Sequence, residues 1–161
     1  IDVRTRSGAK LADKWEAGPR TYLGLMVAGF PNMFMITGPQ SPSVKAQMIL
    51  GIEQHADWII DCLRHLKAQG LDRIEAEQTA EDGWVQHNNE IADATLYPLA
   101  NSWYMGANIP GKPRVFMPYV GGFDRYKRTC DEVAEKGYEG FRMTASEAVG
   151  ASSARDRAVA S

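Results

Sequence analysis

The segment from Met33 to Met48 constrains the fold of this 161-residue chain more than any other. It begins with a run over residues 33–37 (MFMIT) that is apolar on both faces of a pleated strand, and the residues GPQSP at 38–42 end the run. A continuous apolar run bounded by turn signals is typical of a strand buried in a parallel sheet. The sequence therefore predicts a buried strand at 33–37 with parallel neighbours.

A long amphipathic helix is predicted directly after this turn. Ser43 is a suitable N-cap and Gly70 a suitable stop. One apolar stripe at helical spacing joins Val44, Met48, Ile52, His55, Ile59, Leu63 and Leu66. Because His55 lies on this stripe, it is interpreted as a hydrogen-bonded core histidine and not as a metal ligand.

Shorter elements are predicted on both sides of this unit, and the predicted fold class is α/β. Glycine and proline punctuate residues 5–32, which are predicted to be loops. An extended piece is predicted at 72–76, and a helix capped at Thr79 and ended by Pro98 follows. The predicted inward-facing residues of that helix are Trp84, Val85, Ile91, Ala92 and Leu96.

Beyond this helix the sequence predicts a loop at 99–114, a strand at 114–117 and a turn at 121–122. A helix at 124–136, ended by Gly137, and a last strand within 138–143 follow. The predicted inward-facing residues of the last helix are Tyr126, Cys130 and Val133. The tail from residue 144 lacks a core pattern and is expected to be disordered.

Composition narrows the function classes. A net charge of −2 gives no reason to expect nucleic acid or an anionic membrane as a partner. The two cysteines, Cys62 and Cys130, lack metal-ligand spacing and favour a reducing, cytoplasmic location. No membrane span and no signal peptide is predicted. The start at Ile1, without methionine, indicates part of something longer, either a processed or a trimmed chain.

The turn after residue 37 is the most informative local feature for function. In open α/β sheets ligands bind beyond the carboxyl ends of strands, where a helix N-terminus offers free N–H groups and a positive dipole end. A phosphate, an electron-rich carbonyl or the pyrimidine end of a reduced flavin suits that position. A plain strand-to-helix connection, common in any α/β fold, is the alternative that local sequence leaves open.

The predicted loop at 99–114 is a second candidate region. Its aromatic residues Trp103 and Tyr104, two amides and Lys112 could close over a cofactor and exclude water. The alternative is a surface loop whose tryptophan fills a gap in the core.

Other patterns carry little chemistry. The sequence contains no zinc-protease, nucleophile-elbow, dinucleotide-binding or P-loop motif. His65 and His87 are predicted to lie on solvated helix faces. The acids Glu75, Glu77, Glu81 and Asp82 are likewise predicted to form a solvated face and not a catalytic pair.

A long ordered series of motifs resembles the C-terminal region of type I Baeyer–Villiger monooxygenases, and most closely the phenylacetone and steroid monooxygenase branch. The series runs through GP at 18–19, YLG at 22–24, GFPNMF at 29–34, GP at 38–39, SPS at 41–43, Met48, IEQH at 52–55, Trp58, NEIAD at 89–93, TLYP at 95–98, SWY at 102–104, GANIPGKPRVFM at 106–117 and YEGF at 138–141. It spans residues 1 to about 143.

The resemblance implies the C-terminal portion of a flavoprotein with two dinucleotide-binding domains, incomplete as a fold by itself. Residues 1–70 would complete the FAD-binding domain, residues 71–143 would form a helical segment with an NADP-contacting loop and closing elements, and 144–161 would be a tail. The implied enzyme uses FAD, NADPH and O2 to insert one oxygen atom beside a ketone carbonyl, giving an ester or lactone. The remaining domains of the same enzyme are the implied partner.

The resemblance also assigns site residues. Gly38, Pro39, Met48 and Trp103 would contact cofactors, and Ser43, Val44 and Lys45 would line the substrate side. No catalytic residue and no metal ligand of the family can be placed on this chain. Lys45 departs from the branch, which tends to be apolar there, and Gln40 is a milder departure. A related nitrogen- or sulfur-oxidising flavin monooxygenase and a non-catalytic binding module remain the alternatives.

Overall fold

A computed structural model describes residues 2–44, 46–107, 110–111 and 113–145. In chain order the elements are α1 (Leu11–Lys14), α2 (Met48–Ala68), β1 (Arg73–Ala76), α3 (Gln78–Asp93), two 3-10 helices (Tyr97–Leu99 and Trp103–Met105), α4 (Phe123–Glu135) and β2 (Phe141–Thr144). The predicted tail beyond residue 145 lies outside the described residues.

The sheet in the described residues has two antiparallel strands. β1 pairs with β2 in a register that sets Ile74 opposite Met143 and Ala76 opposite Phe141. The extended piece predicted near 72–76 and a strand near 138–143 are thus confirmed. The mixture of helix and strand agrees with an α/β protein, although the described residues contain no parallel sheet.

Two predicted strands are wrong for the described residues. Residues 33–37 form no strand: the N–H of Met35 bonds to the carbonyl of Leu25, Thr37 turns into the left-handed region at φ 53°, and Ile36 is 49% exposed. Residues 114–117 form no strand either: the N–H groups of Val115 and Met117 bond to the second 3-10 helix, and the carbonyl of Met117 bonds to Gln40. A strand needs a partner strand along its length, and in the described part of the chain each run has only isolated hydrogen bonds.

Helix α2 begins at Met48, with Gln47 as its extended N-cap, so the predicted cap at Ser43 is wrong. It ends at Ala68, and Gly70 at φ 68° confirms the predicted stop. Its buried residues are Gly51, Gln54, His55, Trp58, Cys62 and Leu66. The predicted apolar stripe is therefore only partly correct. Its members His55 and Leu66 are buried, whereas Met48, Ile52 and Leu63 are exposed.

Helix α3 begins at Gln78 with Glu77 as N-cap, so the predicted cap at Thr79 is also wrong. Of its predicted inward-facing residues Trp84 and Ala92 are buried, Val85 and Ile91 are half-buried, and Leu96 is 81% exposed. The prediction that Leu96 faces inward is wrong because the helix ends at Asp93 and not at Pro98. Helical periodicity therefore does not apply at residue 96.

The core lies among α2, α3, α4, the two strands and an irregular segment at residues 21–30. In α4 Tyr126, Cys130 and Val133 are buried as predicted. Trp58 on α2 donates its indole N–H to the carbonyl of Cys130 at 3.0 Å, which fixes α2 against α4. Within the irregular segment the side chains of Leu23, Leu25, Met26 and Val27 are fully buried.

A buried irregular segment needs partners for its backbone polar groups. Two acids supply them, so the prediction that Glu75 and Glu81 lie on a solvated face is wrong. Glu81, fully buried, accepts from the N–H of Ala28 at 2.8 Å and pairs with Lys14 at 2.9 Å. Glu75 accepts from the N–H of Gly29 at 3.2 Å.

The surroundings of these acids and of the histidines refine the sequence predictions. Burial by itself would raise the pKa of Glu75, but hydrogen bonds from Arg73 and Arg142 lower it. Glu77 and Asp82 are exposed, as predicted. His65 and His87 are half-buried against aromatic rings rather than on solvated faces, with ring centroids 5.1 Å from Tyr138 and 5.5 Å from Trp84 respectively.

Cys62 and Cys130 are both free and buried. Among the described residues no group of three or more histidine, cysteine and acidic side chains could hold a metal ion. The same residues include no helix long and apolar enough to cross a membrane.

Candidate functional site

The turn over residues 37–42 is held in an unusual backbone conformation. Thr37 and Gln40 have φ of 53° and 64°, in the left-handed region that residues other than glycine seldom adopt. Thr37 is β-branched, so its position there is an outlier. Such strain persists only where surrounding contacts determine the backbone, and it concentrates at functional sites.

Gln40 is a buried hub of this turn. Its side-chain oxygen accepts from the N–H of Thr21 at 2.9 Å, and its amide nitrogen donates to the carbonyl of Pro19 at 3.0 Å. Its own carbonyl accepts from the indole N–H of Trp84 at 3.1 Å. The residue singled out in the sequence as a mild departure thus joins the turn to the irregular segment and to α3.

Close backbone approach fixes the same turn from the other side. A Cβ added at Gly38 would collide with the carbonyl oxygen of Gly24, and one added at Gly24 would lie 2.5 Å from the Cβ of Ser41. Thr21 donates to the carbonyl of Pro39 at 2.7 Å. Glycine at 24 and 38 is therefore required by contact between two backbone segments.

His55 holds the start of the turn. Its Nδ1 accepts the backbone N–H of Thr37 at 2.8 Å, and its Nε2 lies 2.7 Å from the hydroxyl of Tyr126. That hydroxyl donates to the carbonyl of Leu23 at 2.5 Å. The prediction of a hydrogen-bonded core histidine is confirmed, and burial lowers the pKa of His55 to about 4.

The residues predicted to contact ligands, apart from Trp103, lie within the turn and in the segment from the turn to the first residue of α2. Gly38, Pro39, Ser43 and Val44 are half-buried, and Met48, the first residue of α2, is 42% exposed. Among the described residues no side chain caps the N-terminus of α2, so N–H groups of its first turn are available to a ligand. Lys45 lies outside the described residues.

Trp103 lies in the second 3-10 helix, within the loop at residues 99–114, which we call the Trp103 loop. It is 59% exposed and its ring centroid is 4.0 Å from that of Tyr104, so the alternative of a tryptophan filling the core is wrong. Arg114 closes the base of this loop by donating to the side chain of Asn101 at 2.6 Å and to the carbonyl of Ala100 at 2.9 Å. Residues 108, 109 and 112 lie outside the described residues.

The turn and the Trp103 loop meet at Met117. The N–H of Met117 donates to the carbonyl of Tyr104 at 3.0 Å, and its carbonyl accepts from the N–H of Gln40 at 2.5 Å. Tyr119 then donates its N–H to the carbonyl of Ser41 at 2.9 Å. The two candidate regions are therefore attached to one extended segment.

This arrangement presents fixed backbone dipoles, an uncapped helix N-terminus and an exposed aromatic ring. Residues 37–42 contain no acidic, basic or cysteine side chain. Sequence reasoning missed Gln40, Thr21 and Tyr126 as determinants of the turn. Only the polar Gln40 between proline and serine gave a signal, since a long amide inside a tight turn is unusual there.

Curated relatives match most of the chain. An acetone monooxygenase (methyl acetate-forming) from Gordonia sp. (strain TY-5) is 44% identical over 145 residues, which is 89% of this chain and 27% of the relative. A phenazine N-monooxygenase from Lysobacter antibioticus is 37% identical over 88% of this chain and 26% of the relative. No family model matches the chain.

Solved structures match with the same coverage. Oxidized steroid monooxygenase bound to NADP superposes with a TM-score of 0.81 at 47% identity, over 89% of this chain and 26% of that one. The OTEMO complex with FAD and NADP superposes with a TM-score of 0.80 at 32% identity, over 89% and 26%. The chain thus spans about a quarter of the length of the proteins it matches.

Proposed function

We propose that this chain, a relative of Baeyer–Villiger monooxygenases over nearly nine-tenths of its length, is the C-terminal part of an FAD- and NADPH-dependent enzyme of that kind. The whole enzyme would insert one oxygen atom from O2 beside a ketone carbonyl to give an ester or lactone. The observation that carries the proposal is the continuous match of 145 residues at 44% identity, which includes both the strained turn and the Trp103 loop.

The exposed side of α2 supports the placement in a larger body. Apolar residues occupy adjacent positions on the outer part of this helix. They are Met48, Ile49, Ile52, Ile60 and Leu63, and each is at least 37% exposed. We call these five residues the outer stripe of α2. A contiguous apolar stripe is unusual on a solvated surface, and the remaining three quarters of the enzyme would cover it.

The residues at the turn fit a flavin. FAD, when bound, supplies the redox chemistry, and the chain's own residues bind and orient the ring. The half-buried backbone at Gly38 and Pro39 and the N–H groups near Met48 would lie against its electron-rich pyrimidine end, where fixed dipoles stabilise negative charge. Ser43, Val44 and Lys45 would line the substrate side.

Trp103 fits the nicotinamide cofactor. Its exposed indole can stack on a flat ring and donate its N–H, and the loop that carries it is closed by Arg114. Contact with NADP(H) would hold the loop over the site and exclude water. We assign residues 1–70 to the FAD-binding domain and residues 71–143 to the segment that includes this loop.

Purification of the enzyme from its complete coding sequence tests the proposal. We expect a yellow protein with bound FAD that consumes NADPH and O2 and converts acetone or cyclohexanone to an ester or lactone. A complete coding sequence without two glycine-rich dinucleotide motifs, or a protein without flavin, would refute the proposal.

A nitrogen-oxidising monooxygenase is the second candidate, because one of the matched relatives is a phenazine N-monooxygenase. Both enzymes would bind FAD and NADPH, so only the product separates them. The enzyme is incubated separately with a cyclic ketone, an aromatic nitrogen heterocycle and a thioether. We expect an ester or lactone from the ketone. Oxidation of nitrogen or sulfur without any ester or lactone would favour the second candidate.

A further inference from the structure

We propose that His55, together with Tyr126, is a positioning residue that sets the backbone of the turn at 37–42 and thereby the position of the flavin. This inference rests on the function proposed above. His55 contacts the turn through the backbone N–H of Thr37, so its effect on the flavin would pass through Thr37.

The first step is the strain at Thr37. A β-branched residue in the left-handed region is disfavoured, and among the described residues no strand pairs with this segment to impose it. The N–H of Thr37 is instead fixed by Nδ1 of His55 at 2.8 Å. Gly38 and Pro39 follow directly, so a change at Thr37 moves the residues proposed to face the flavin.

The second step is the hydrogen-bonding polarity of the network. Because Nδ1 accepts from the Thr37 N–H, a neutral imidazole must carry its proton on Nε2. That N–H faces the oxygen of Tyr126, whose own hydrogen is directed to the carbonyl of Leu23. Each group donates and accepts without conflict, which selects one tautomer of His55.

The third step is that this network joins elements distant in sequence. His55 belongs to α2 and Tyr126 to α4, and Leu23 belongs to the irregular segment whose Gly24 carbonyl packs against Gly38. His55 and Tyr126 are both fully buried. Burial also lowers the pKa of His55, which keeps the Nδ1 lone pair available to Thr37 near neutral pH.

The test compares three variants of the full-length enzyme. His55→Leu removes both hydrogen bonds, whereas His55→Asn keeps an acceptor near the position of Nδ1. Cys62→Ala, a buried change on the same helix away from the turn, controls for general destabilisation. The readouts are the FAD dissociation constant, the visible flavin spectrum, the flavin midpoint potential and the separate kcat and KM values.

We expect His55→Leu to weaken FAD binding about tenfold, since a lost hydrogen bond corresponds to roughly one factor of ten, and to shift the flavin spectrum. His55→Asn should recover most of the affinity and the native spectrum. Cys62→Ala should lower thermal stability and leave the flavin spectrum and potential unchanged. Flavin properties in His55→Leu that match the wild type, or an equal change in Cys62→Ala, would overturn the proposal.

Two further variants keep the test decisive if His55→Leu does not fold. Tyr126→Phe retains the ring and should weaken FAD binding in the same direction as His55→Leu. Thr37→Gly adopts the left-handed conformation without strain, so it should reduce the effect of Tyr126→Phe when the two are combined. Strict additivity in that double variant would overturn the route through Thr37. A wild-type enzyme without flavin would instead refute the proposed function, and the positioning role with it.

Discussion

The backbone carbonyl of Met117 accepts a hydrogen bond of 2.5 Å from the N–H of Gln40. The N–H of the same residue donates to Tyr104, the neighbour of Trp103. One residue, Met117, therefore connects the strained turn with the loop that carries the exposed tryptophan. In the proposed enzyme this connection would link the flavin side of the site to the nicotinamide side.

Replacement of Gln40 by alanine should destabilise the enzyme by about 2–4 kcal/mol, because the buried N–H of Thr21 and the carbonyl of Pro19 would each lose a partner. Urea unfolding measures this change, and FAD retention should fall with it. Gln86→Ala is the matched control, since Gln86 is exposed on α3. Equal stability of the two variants would contradict the role of Gln40 as a hub.

Replacement of Trp103 by alanine should raise the KM for NADPH about tenfold or more and leave the melting temperature nearly unchanged, because the indole is mostly exposed and its stacking on a cofactor is lost. Steady-state kinetics and thermal unfolding measure the two effects. Leu99→Ala, at a residue 83% exposed on the same loop, should change neither. An unaltered KM in Trp103→Ala would show that this tryptophan makes no contact with NADPH.

Replacement of Glu81 by glutamine should destabilise the enzyme by about 2–4 kcal/mol. The change leaves Lys14 and Arg20 without their buried counter-charge and weakens the acceptor of the Ala28 N–H. Chemical unfolding measures it. Asp82→Asn, which alters the exposed carboxylate beside Arg20, should cost less than about 1 kcal/mol. A similar loss in both variants would mean that burial of Glu81 does not matter.

Replacement of Leu63 by glutamate should disrupt the full-length enzyme, because the proposal places the outer stripe of α2 against the remaining domains. We expect loss of FAD and a melting temperature lower by several degrees. Arg64→Glu changes the adjacent residue, which is exposed on the polar side of α2, and should have little effect. Normal stability of Leu63→Glu would show that the stripe stays uncovered.

Stability should rise with pH between about 4 and 6.5 through His55. The folded-state pKa is lowered to about 4, so in this window the unfolded chain binds a proton at His55 that the folded chain does not. The contribution is present above pH 6.5 and is lost as the pH falls, by an amount on the order of 3 kcal/mol. Unfolding midpoints of wild type and His55→Asn across pH 4.5–7.5 measure it. The same slope in both proteins would exclude His55 as the source.

Local patterns predicted those features that depend on a few neighbouring residues. The helical period of Tyr126, Cys130 and Val133 placed α4 and its buried face correctly, and Gly70 and Gly137 marked the ends of their helices. His55 was correctly interpreted as a buried, hydrogen-bonded residue. These predictions succeed because helix geometry and glycine conformations are set within a turn or two of chain.

Patterns failed where distant partners decide the outcome. The apolar run at 33–37 has the composition of a buried strand, yet it forms none in the described residues because a strand exists only with neighbours. Glu75 and Glu81 carry charges that are typical of a surface. They are buried because the N–H groups of Gly29 and Ala28 and basic residues far along the chain surround them.

The sequence by itself determined the existence of helices α2 and α4, where they end and, through an ordered series of motifs, the resemblance to part of a flavin monooxygenase; it did not determine where α2 begins. Only the tertiary structure decided the shape of the turn at 37–42. Its left-handed residues are imposed by His55, Thr21 and Met117, and side chains and carbonyls at such separations leave no periodic trace in a sequence. Hydrogen bonds between distant segments, rather than local propensity, therefore fix the turn that carries the proposed flavin site.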